Sequence, residues 1–300
     1  MTPAKNEQYN TPTMQHGDYT TFDLHPLTEA LGAEILGVDL SQALPEAQFA
    51  EVRRAFAEFS VIFFRDQHLT PDQHIAFARR WGEINVNRFF KAVESHPLVA
   101  EVRKTPDQET NIGGEWHTDH SYDQIPATGS ILYARHVPEI GGDTQFASMY
   151  GAFDGLSEGL KQMLESMRAI HSSRHAFGRS AYRIQQHSED IGDRLGNPGA
   201  ATQDADHPVI IRHPLSGRKA LYVNPGFTVR FSDWSQEESR PLLEYLYRQA
   251  TKPEYTCRFH WQENSLAFWD NRATWHQALN DYPGQMRLMH RITIEGVPLE

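Results

Sequence analysis

Three side chains of this sequence are of the types that hold iron for oxygen chemistry. His117 and Asp119 are separated by one residue, and His276 follows far along the chain. Two imidazoles and one carboxylate are the ligand set of a facial iron site, which leaves coordination positions open for oxygen and substrate. The single cysteine, Cys257, can form neither a cysteine-rich metal site nor an internal disulfide. We therefore predict an Fe(II) site on His117, Asp119 and His276.

The His-x-acid pattern alone is weak. With 16 histidines and 39 acidic residues in 300, about two such pairs are expected by chance. Three occur: His16 with Asp18, His117 with Asp119, and His187 with Glu189. The first lies in a polar N-terminal tail and the third in a polar stretch typical of a surface loop or helix end. The middle pair follows two glycines and leads through Pro126 into an apolar run, residues 129–137. This context makes it the best candidate for the pair of metal ligands.

A strand would place the selected pair correctly. Residues i and i+2 of a strand project from the same face, so His117 and Asp119 can both point into a barrel. His120, one residue further, is expected to face the opposite side.

Two arginines downstream are candidates for binding anions. The run 287–294 alternates as a strand does and places Arg287, Met289, Arg291 and Thr293 on one face. One interpretation has the arginines facing inward, where each buried charge requires an anion. In the other, they face solvent on an edge strand and Leu288, Ile292 and Ile294 form the core face. The alternation alone does not choose between the two.

Composition narrows the class of protein. Hydrophobic residues make up 39% and charged residues 22%, as in an ordinary globular protein. A formal net charge of −11 argues against nucleic acid and anionic membranes as partners, because both require a concentrated basic face. No apolar run is long enough for a membrane span, and the N-terminus shows no signal segment. We expect a cytoplasmic protein with a disordered tail over residues 1–18 and a single domain over residues 19–300.

The remaining pattern predicts mainly β structure with flanking helices. Helices are predicted over residues 45–59, from a Thr70 cap onward, over 150–170, and from a Ser235 capping box to about residue 249. Short strands are predicted at 31–38, 130–137, 144–147, 208–213, 220–223, 255–259, 265–269 and 288–294. Many short strands with glycine and proline turns favour a jelly roll or barrel with helices packed outside.

The motifs together resemble one known family. Trp116-His-Thr-Asp119, Gly141-Gly-Asp-Thr144, Phe268-Trp-Asp-Asn-Arg272, His276 and Arg287-Leu-Met-His-Arg291 stand in the order found in the TauD/TfdA family of Fe(II)/2-oxoglutarate-dependent dioxygenases. The resemblance covers about residues 20 to 297. It implies a double-stranded β-helix, the cupin-like jelly roll, with a long insertion over residues 151–255.

The resemblance also implies an activity and a set of roles. In sulfonate and aryloxyalkanoate members, an arginine at the position of Arg287 and a threonine at that of Thr144 bind the far carboxylate of 2-oxoglutarate. An arginine at the position of Arg291 binds the acid group of the substrate. The implied reaction uses Fe(II), 2-oxoglutarate and O2 to hydroxylate a small organic acid, with succinate and CO2 as products. C–S or C–O scission follows where the hydroxylated carbon bears sulfonate, sulfate ester or aryl ether.

The sequence departs from the taurine-cleaving members at the substrate. The loop over residues 85–90 lacks their histidine and tyrosine, and Gly113 stands where they have an asparagine. We predict Asn87 and Phe90 as substrate contacts and expect an acid with an aromatic or medium alkyl body. His175 or Arg174 either touches substrate or lies on the surface.

Other interpretations and the assembly are left open. The same machinery could act on an amino acid or a biosynthetic intermediate, by hydroxylation or desaturation. The fold could also serve as a binding protein without turnover. A homo-oligomer, dimer or tetramer, is expected.

Overall fold

The computed structural model describes residues 19–178 and 194–299 of the chain. The predicted tail over residues 1–18 and both rejected His-x-acid pairs lie outside the described residues.

Strands and helices follow one another along the described chain. The strands are β1 Asp23–Pro26, β2 Ala33–Leu36, β3 Val61–Phe64, β4 Ile84–Asn85, β5 Ala92–Val93, β6 His96–Lys104, β7 Gly129–His136, β8 Thr144–Ser148, β9 Arg168–Ser172, β10 Asp204–Pro208, β11 Ile210–Arg212, β12 Lys219–Leu221, β13 Thr228–Phe231, β14 Thr256–Phe259, β15 Leu266–Asp270, β16 Thr274–Ala278 and β17 Arg287–Ile294. The α-helices are α1 Glu46–Phe59, α2 Pro71–Arg79, α3 Met149–Asp154, α4 Glu158–Glu165, α5 Arg174–Phe177 and α6 Gln236–Ala250. Two 3₁₀ turns, Pro198–Ala200 and Pro253–Tyr255, complete the described elements.

Two sheets enclose the central core. The larger has the order β1-β2-β3-β15-β7-β17-β6-β5, with β4 added beside β17, and the smaller has the order β14-β8-β16. Buried side chains from both sheets meet between them, among them Phe63, Phe146, Phe259, Trp269 and Met289. This arrangement is the predicted double-stranded β-helix. The solvent-facing interpretation of the arginine strand is wrong, because β17 lies inside the larger sheet between β7 and β6.

Helices α1 and α2 cover the outer face of the larger sheet. Phe49, Val52 and Phe56 of α1 pack into one buried cluster with Phe268 of β15 and Ile292 of β17. Helix α2 begins with the predicted capping box, in which Thr70 and Gln73 satisfy each other's backbone N–H groups. These helices shield one face of the sheet and leave its other face to the core between the sheets.

The predicted insertion lies between β8 and β14. It contains α3 to α6 and β9 to β13, which pack on a core of their own that includes Trp275. The prediction of one helix over residues 150–170 is wrong in part. The helix stops at Gly155, Ser157 caps a second helix, and Arg168–Ser172 pairs as strand β9. A serine side chain that accepts from Leu160 favours a new helix start over continuation.

Over residues 19–178 and 194–299, no helix is both long and apolar enough to cross a membrane.

Candidate active site

The segment that carries His117 is held against β16 by its backbone. His117 and His276 form an isolated antiparallel bridge, with N–H to carbonyl distances of 3.1 Å and 2.8 Å. The expected regular strand over this segment is therefore wrong: beyond the bridge the chain turns, and His120 has a φ of +59°. The bridge still brings the two predicted histidine ligands together, with ring centroids 4.1 Å apart and the ring planes tilted by 47°.

His117, Asp119 and His276 form a compact cluster. One nitrogen or oxygen atom from each lies within 4.8 Å of the other two. The His117 Nε2 atom is 3.8 Å from Asp119 Oδ1, and His276 Nε2 is 3.9 Å from Asp119 Oδ2. His120, expected to face away from the pair, is not part of this cluster, and its Nδ1 atom lies 3.0 Å from Asp123 Oδ2. The three predicted ligand residues converge on one point, as a metal ion requires.

Protonation states within the cluster suit a cation. The His117 Nδ1 atom lies 2.7 Å from the carbonyl of Glu115, so a proton on Nδ1 leaves the Nε2 lone pair toward the cluster. Burial, followed by the neighbouring His117, lowers the pKa of His276 well below its usual value. Burial raises the pKa of Asp119, but neighbouring positive charge, that of Arg291 foremost, outweighs burial and holds it well below its usual range. A neutral imidazole and an ionised carboxylate are the forms that bind Fe(II).

Two buried side chains, Ser130 and Arg291, fix the orientation of the Asp119 carboxylate. The Ser130 hydroxyl on β7 donates to Asp119 Oδ2 at 2.7 Å, and both groups are buried. Arg291 Nη1 lies 3.3 Å from Asp119 Oδ1. The carboxylate therefore has a fixed direction, and its charge is balanced by the arginine predicted to bind substrate.

The cluster opens into a cavity of about 510 Å³. The cavity wall includes all eight predicted site residues: Asn87, Phe90, His117, Asp119, Thr144, His276, Arg287 and Arg291. A single concave site with apolar walls and a few convergent polar groups is the usual form of a small-molecule site. The structure therefore brings together every residue selected from the sequence.

Arg287 and Thr144 lie at one side of this cavity. Arg287 is buried, its Nε atom donates to the Gly142 carbonyl at 3.1 Å, and its Nη2 atom has no partner within the described residues. The Thr144 hydroxyl accepts from the Trp261 indole at 2.9 Å. Burial lowers the pKa of Arg287, because removal from water disfavours its charged form. An anion bound beside it would offset that cost.

Arg291 lies against an aromatic wall. Its guanidinium carbon is 4.6 Å from the ring centroid of Phe90, and its buried Nε atom has no partner within the described residues. Asn87 also lines the cavity, but its carbonyl oxygen accepts from the backbone N–H groups of Phe89 and Phe90, both at 2.9 Å. That side-chain oxygen therefore shapes the loop, and only the amide nitrogen of Asn87 is available to a ligand.

Sequence reasoning missed most of the apolar wall. Tyr122, Phe177 and Phe227 line the cavity, and their rings contact one another at centroid distances of 4.8 to 6.0 Å. The Asn224-Pro-Gly-Phe227 run is a recognisable turn sequence and could have marked a loop near the site. Nothing local indicates that it packs on His117, where a Cβ on Gly226 would lie 2.7 Å from His117 Cβ.

His175 and Arg174 of α5, the two candidate substrate contacts in the insertion, lie in different surroundings. His175 lines the cavity, and its Nε2 atom lies 2.7 Å from the Gly226 carbonyl. Arg174 points outward, where it contacts Asp204 and the carbonyl of Thr202.

The fold and the cluster together define a class of protein: a double-stranded β-helix with a buried His-Asp-His site beside a cavity that carries two arginines. Comparison with known proteins agrees. The family model described as "Taurine catabolism dioxygenase TauD, TfdA family" matches residues 23–293. An alkylsulfatase of Acinetobacter baylyi is 34% identical over 91% of this chain and 84% of its own length.

Two further proteins extend the comparison. The alpha-ketoglutarate-dependent 2,4-dichlorophenoxyacetate dioxygenase of Cupriavidus pinatubonensis is 33% identical over 85% of this chain and 90% of its own. The crystal structure of a taurine dioxygenase from Burkholderia xenovorans superposes with a TM-score of 0.77 at 33% identity, covering 93% of this chain and 90% of that one. The chain belongs to the TauD/TfdA family and is an oxidoreductase, a 2-oxoglutarate-dependent dioxygenase.

Proposed function

We propose that this protein hydroxylates a small organic acid, using Fe(II), 2-oxoglutarate and O2, and that Arg291 binds the acid group of the substrate. The observation that carries the proposal is Arg291 itself, a buried cation in the cavity wall beside the His-Asp-His cluster. Its Nη1 atom pairs with Asp119, but its buried Nε atom has no partner within the described residues and can still donate to the acid group of a substrate.

Iron would be held by His117, Asp119 and His276. When bound, iron with 2-oxoglutarate and O2 supplies the oxidising equivalents: one oxygen atom enters a substrate C–H bond, and 2-oxoglutarate leaves as succinate and CO2. The chain contributes the fixed direction of each ligand: the backbone bridge sets the two histidines, and Ser130 sets Asp119.

The co-substrate would lie between iron and Arg287. A guanidinium binds a carboxylate through parallel N–H bonds, and Arg287 keeps Nη2 available in the buried part of the cavity. Thr144 lies at the same place and offers a hydroxyl. These two side chains would hold the far carboxylate of 2-oxoglutarate, as the family resemblance implies.

The substrate would lie along the aromatic wall. Phe90, Tyr122, Phe177 and Phe227 present apolar surface next to Arg291, which suits an acid with an aromatic or medium alkyl body. Such walls also exclude water from the reacting carbon. Where the hydroxylated carbon bears a sulfate ester, sulfonate or aryl ether, the product would collapse and release that group. The relatives named for alkyl sulfate and dichlorophenoxyacetate chemistry support this range of leaving groups.

Location and assembly are part of the same proposal. A cytoplasmic location would suit an enzyme that needs reduced iron, and the expected assembly is a homo-oligomer, a dimer or tetramer. Light scattering after size-exclusion chromatography tests the oligomer, and a monomeric mass would contradict it.

The deciding experiment is a substrate panel. Taurine, alkyl sulfonates, alkyl sulfate esters, aryloxy acids and amino acids are assayed for stimulation of succinate formation, with kcat/KM determined for each. An acid with a sizeable apolar body should outcompete taurine. His276→Ala is the matched control and should give no stimulated succinate with any compound.

Two outcomes would contradict the proposal. A clear preference for taurine would contradict the role given to the aromatic wall, and a preference for a neutral compound would contradict the role given to Arg291. Tight binding of an acid without iron-dependent succinate would favour the binding-protein interpretation instead.

A further inference from the structure

Trp261 lies directly behind the two side chains expected to hold the far carboxylate of 2-oxoglutarate. Its indole Nε1 atom is 2.9 Å from Thr144 Oγ1, and the guanidinium carbon of Arg287 is 5.8 Å from the centroid of its ring. Trp261 is buried at 2% exposure and is absent from the cavity wall, so it acts on a ligand only through other residues.

The hydrogen bond between Trp261 and Thr144 has one possible direction. An indole N–H can only donate, so the Thr144 oxygen accepts and its own proton remains to be donated. No acceptor for that proton is found among the described residues, and Thr144 lines the cavity. The indole therefore sets the Thr144 hydroxyl as a donor into the cavity, which is the form that a carboxylate requires.

The ring face of Trp261 acts on Arg287. This guanidinium is buried, and its Nη2 atom has no partner in the described part of the chain. Its other contact is the Gly142 carbonyl at 3.1 Å. An aromatic face attracts a cation without neutralising it, so the ring lowers the cost of a buried arginine and leaves its charge for an incoming anion.

Trp261 is itself held in place by the strand that it follows. Phe259 pairs with Thr144 across β14 and β8, and its ring meets the Trp261 ring edge-on at a centroid distance of 4.9 Å and an angle of 87°. Between these two aromatics, His260 Nδ1 lies 2.8 Å from Asp143 Oδ1, next to Thr144 in the chain. The segments around residues 143 and 260 are thus joined at successive residues.

We propose that Trp261 is a positioning residue for 2-oxoglutarate, which fixes the Thr144 hydroxyl as a donor and supports the Arg287 charge beside it. The inference rests on the proposed function, in that Thr144 and Arg287 bind the far carboxylate of the co-substrate.

The test is anaerobic calorimetry of 2-oxoglutarate binding to the Fe(II)-loaded protein. Trp261→Phe keeps a ring face and loses the N–H, and should weaken binding about two- to tenfold, the range for one lost hydrogen bond. Thr144→Val should weaken binding too, and the double variant should bind like Thr144→Val alone, because the indole acts through the hydroxyl.

Two controls separate positioning from general damage. Trp81→Phe removes another indole N–H, one without a partner among the described residues, and should leave the affinity for 2-oxoglutarate unchanged. Binding of 2-oxobutyrate, which chelates iron but lacks the far carboxylate, should be equal in the parent and in Trp261→Phe. If Trp261→Phe does not fold, benzothienylalanine at position 261 replaces only the N–H with sulfur and serves the same comparison.

Each contrary result has a distinct meaning. A parent protein that fails to bind 2-oxoglutarate would refute the proposed function. A parent that binds, with Trp261→Phe unchanged, additive with Thr144→Val, or equally weakened toward 2-oxobutyrate, would refute the role of Trp261 alone.

Discussion

Arg287 and Arg291 lie four residues apart on one strand, yet they have different surroundings. Arg287 contacts the Gly142 carbonyl and the face of Trp261, whereas Arg291 contacts Asp119 and Phe90. One arginine lies beside backbone and a neutral ring, and the other lies beside the iron ligand set. Their substitutions should therefore have separable effects.

Arg287→Gln should raise the dissociation constant of 2-oxoglutarate about ten- to a hundredfold, because a charge-assisted hydrogen bond contributes about 1.5–3 kcal/mol. Arg291→Gln should instead raise KM for the organic acid and leave co-substrate binding nearly unchanged. Anaerobic titration with Fe(II) and 2-oxoglutarate, followed by absorbance, measures the first effect. Equal 2-oxoglutarate binding by both variants and the parent would show that neither arginine binds the far carboxylate of the co-substrate.

Gly226 shows how a position without a side chain can control a ligand. A Cβ at Gly226 would lie 2.7 Å from His117 Cβ, which is closer than such atoms approach. Gly226→Ala should therefore displace His117 and lower the affinity for Fe(II) about tenfold or more, since 1.4 kcal/mol of strain corresponds to a factor of ten.

The matched control for Gly226 is Gly159→Ala in helix α4, where an added Cβ meets nothing within 4 Å. That change should leave iron binding unchanged and stabilise the fold by roughly 0.5–1 kcal/mol. Calorimetric Fe(II) binding and urea unfolding measure both variants. Unaltered iron affinity in Gly226→Ala would show that the loop moves aside.

Among the elements, those with local signals were predictable from sequence. The capping boxes at Thr70 and Ser235 marked two helix starts correctly, because both partners of each box lie within four residues. The segment around His117 was not predictable in form: it is fixed by one backbone bridge to residue 276 and then by a turn at His120. Its ligand geometry is produced by tertiary pairing, which strand periodicity does not describe.

Helix α2 contains a buried histidine that should make stability depend on pH. Both ring nitrogens of His74 lack partners within the described residues. Burial, then His290 and Arg135, lowers the pKa of His74 from 6.5 to about 3. The folded state therefore disfavours the protonated ring, and the stability present above pH 6.5 is lost as the pH falls from about 6.5 toward 3.

His74→Leu should flatten this loss. Urea unfolding at pH 7.5 and pH 5 should show a smaller difference in the free energy of unfolding for the variant than for the parent. At pH 7.5 the variant should be at least as stable, because two unsatisfied buried nitrogens are removed. The exposed His25 is the control position, and His25→Leu should leave the difference unchanged. If the difference between the two pH values were the same in His74→Leu and the parent, His74 would not be the cause of the pH dependence.

At the scale of the molecule, the order of motifs predicted the fold, and the eight site residues selected from the sequence all line the cavity. The ligands and arginines among them were predictable because they lie in short runs with fixed spacing. The aromatic wall escaped prediction for a physical reason. Phe177 and Phe227 belong to the insertion and reach the cavity only by docking against Tyr122. The spacing of residues along the chain gives no indication of that tertiary contact.

Binding of iron should stabilise the fold, because its ligands come from segments that are distant in the sequence. His117 and Asp119 precede the insertion and His276 follows it, so a metal bound to all three stabilises the folded state only. A metal at a hundred times its dissociation constant adds about 2.7 kcal/mol, which corresponds to a rise in Tm of several degrees for a chain of this size. Thermal unfolding with and without Mn(II) measures the shift.

His117→Ala should abolish the metal-dependent rise in Tm. The exposed His136, paired with Glu263, is the control, and His136→Ala should retain the full rise. A rise that survives in His117→Ala would mean that the ion binds at another place.

The cavity is assembled from two separate parts of the chain. The iron ligands and arginines come from the paired sheets and the segment bridged to them, while Phe177, Phe227 and His175 come from the insertion. Substitutions in the insertion are therefore expected to change which organic acid fits the cavity while the iron ligands stay the same. Because those side chains lie in one contiguous stretch of sequence, exchanging that stretch between relatives should be a direct route to catalysts with new substrates.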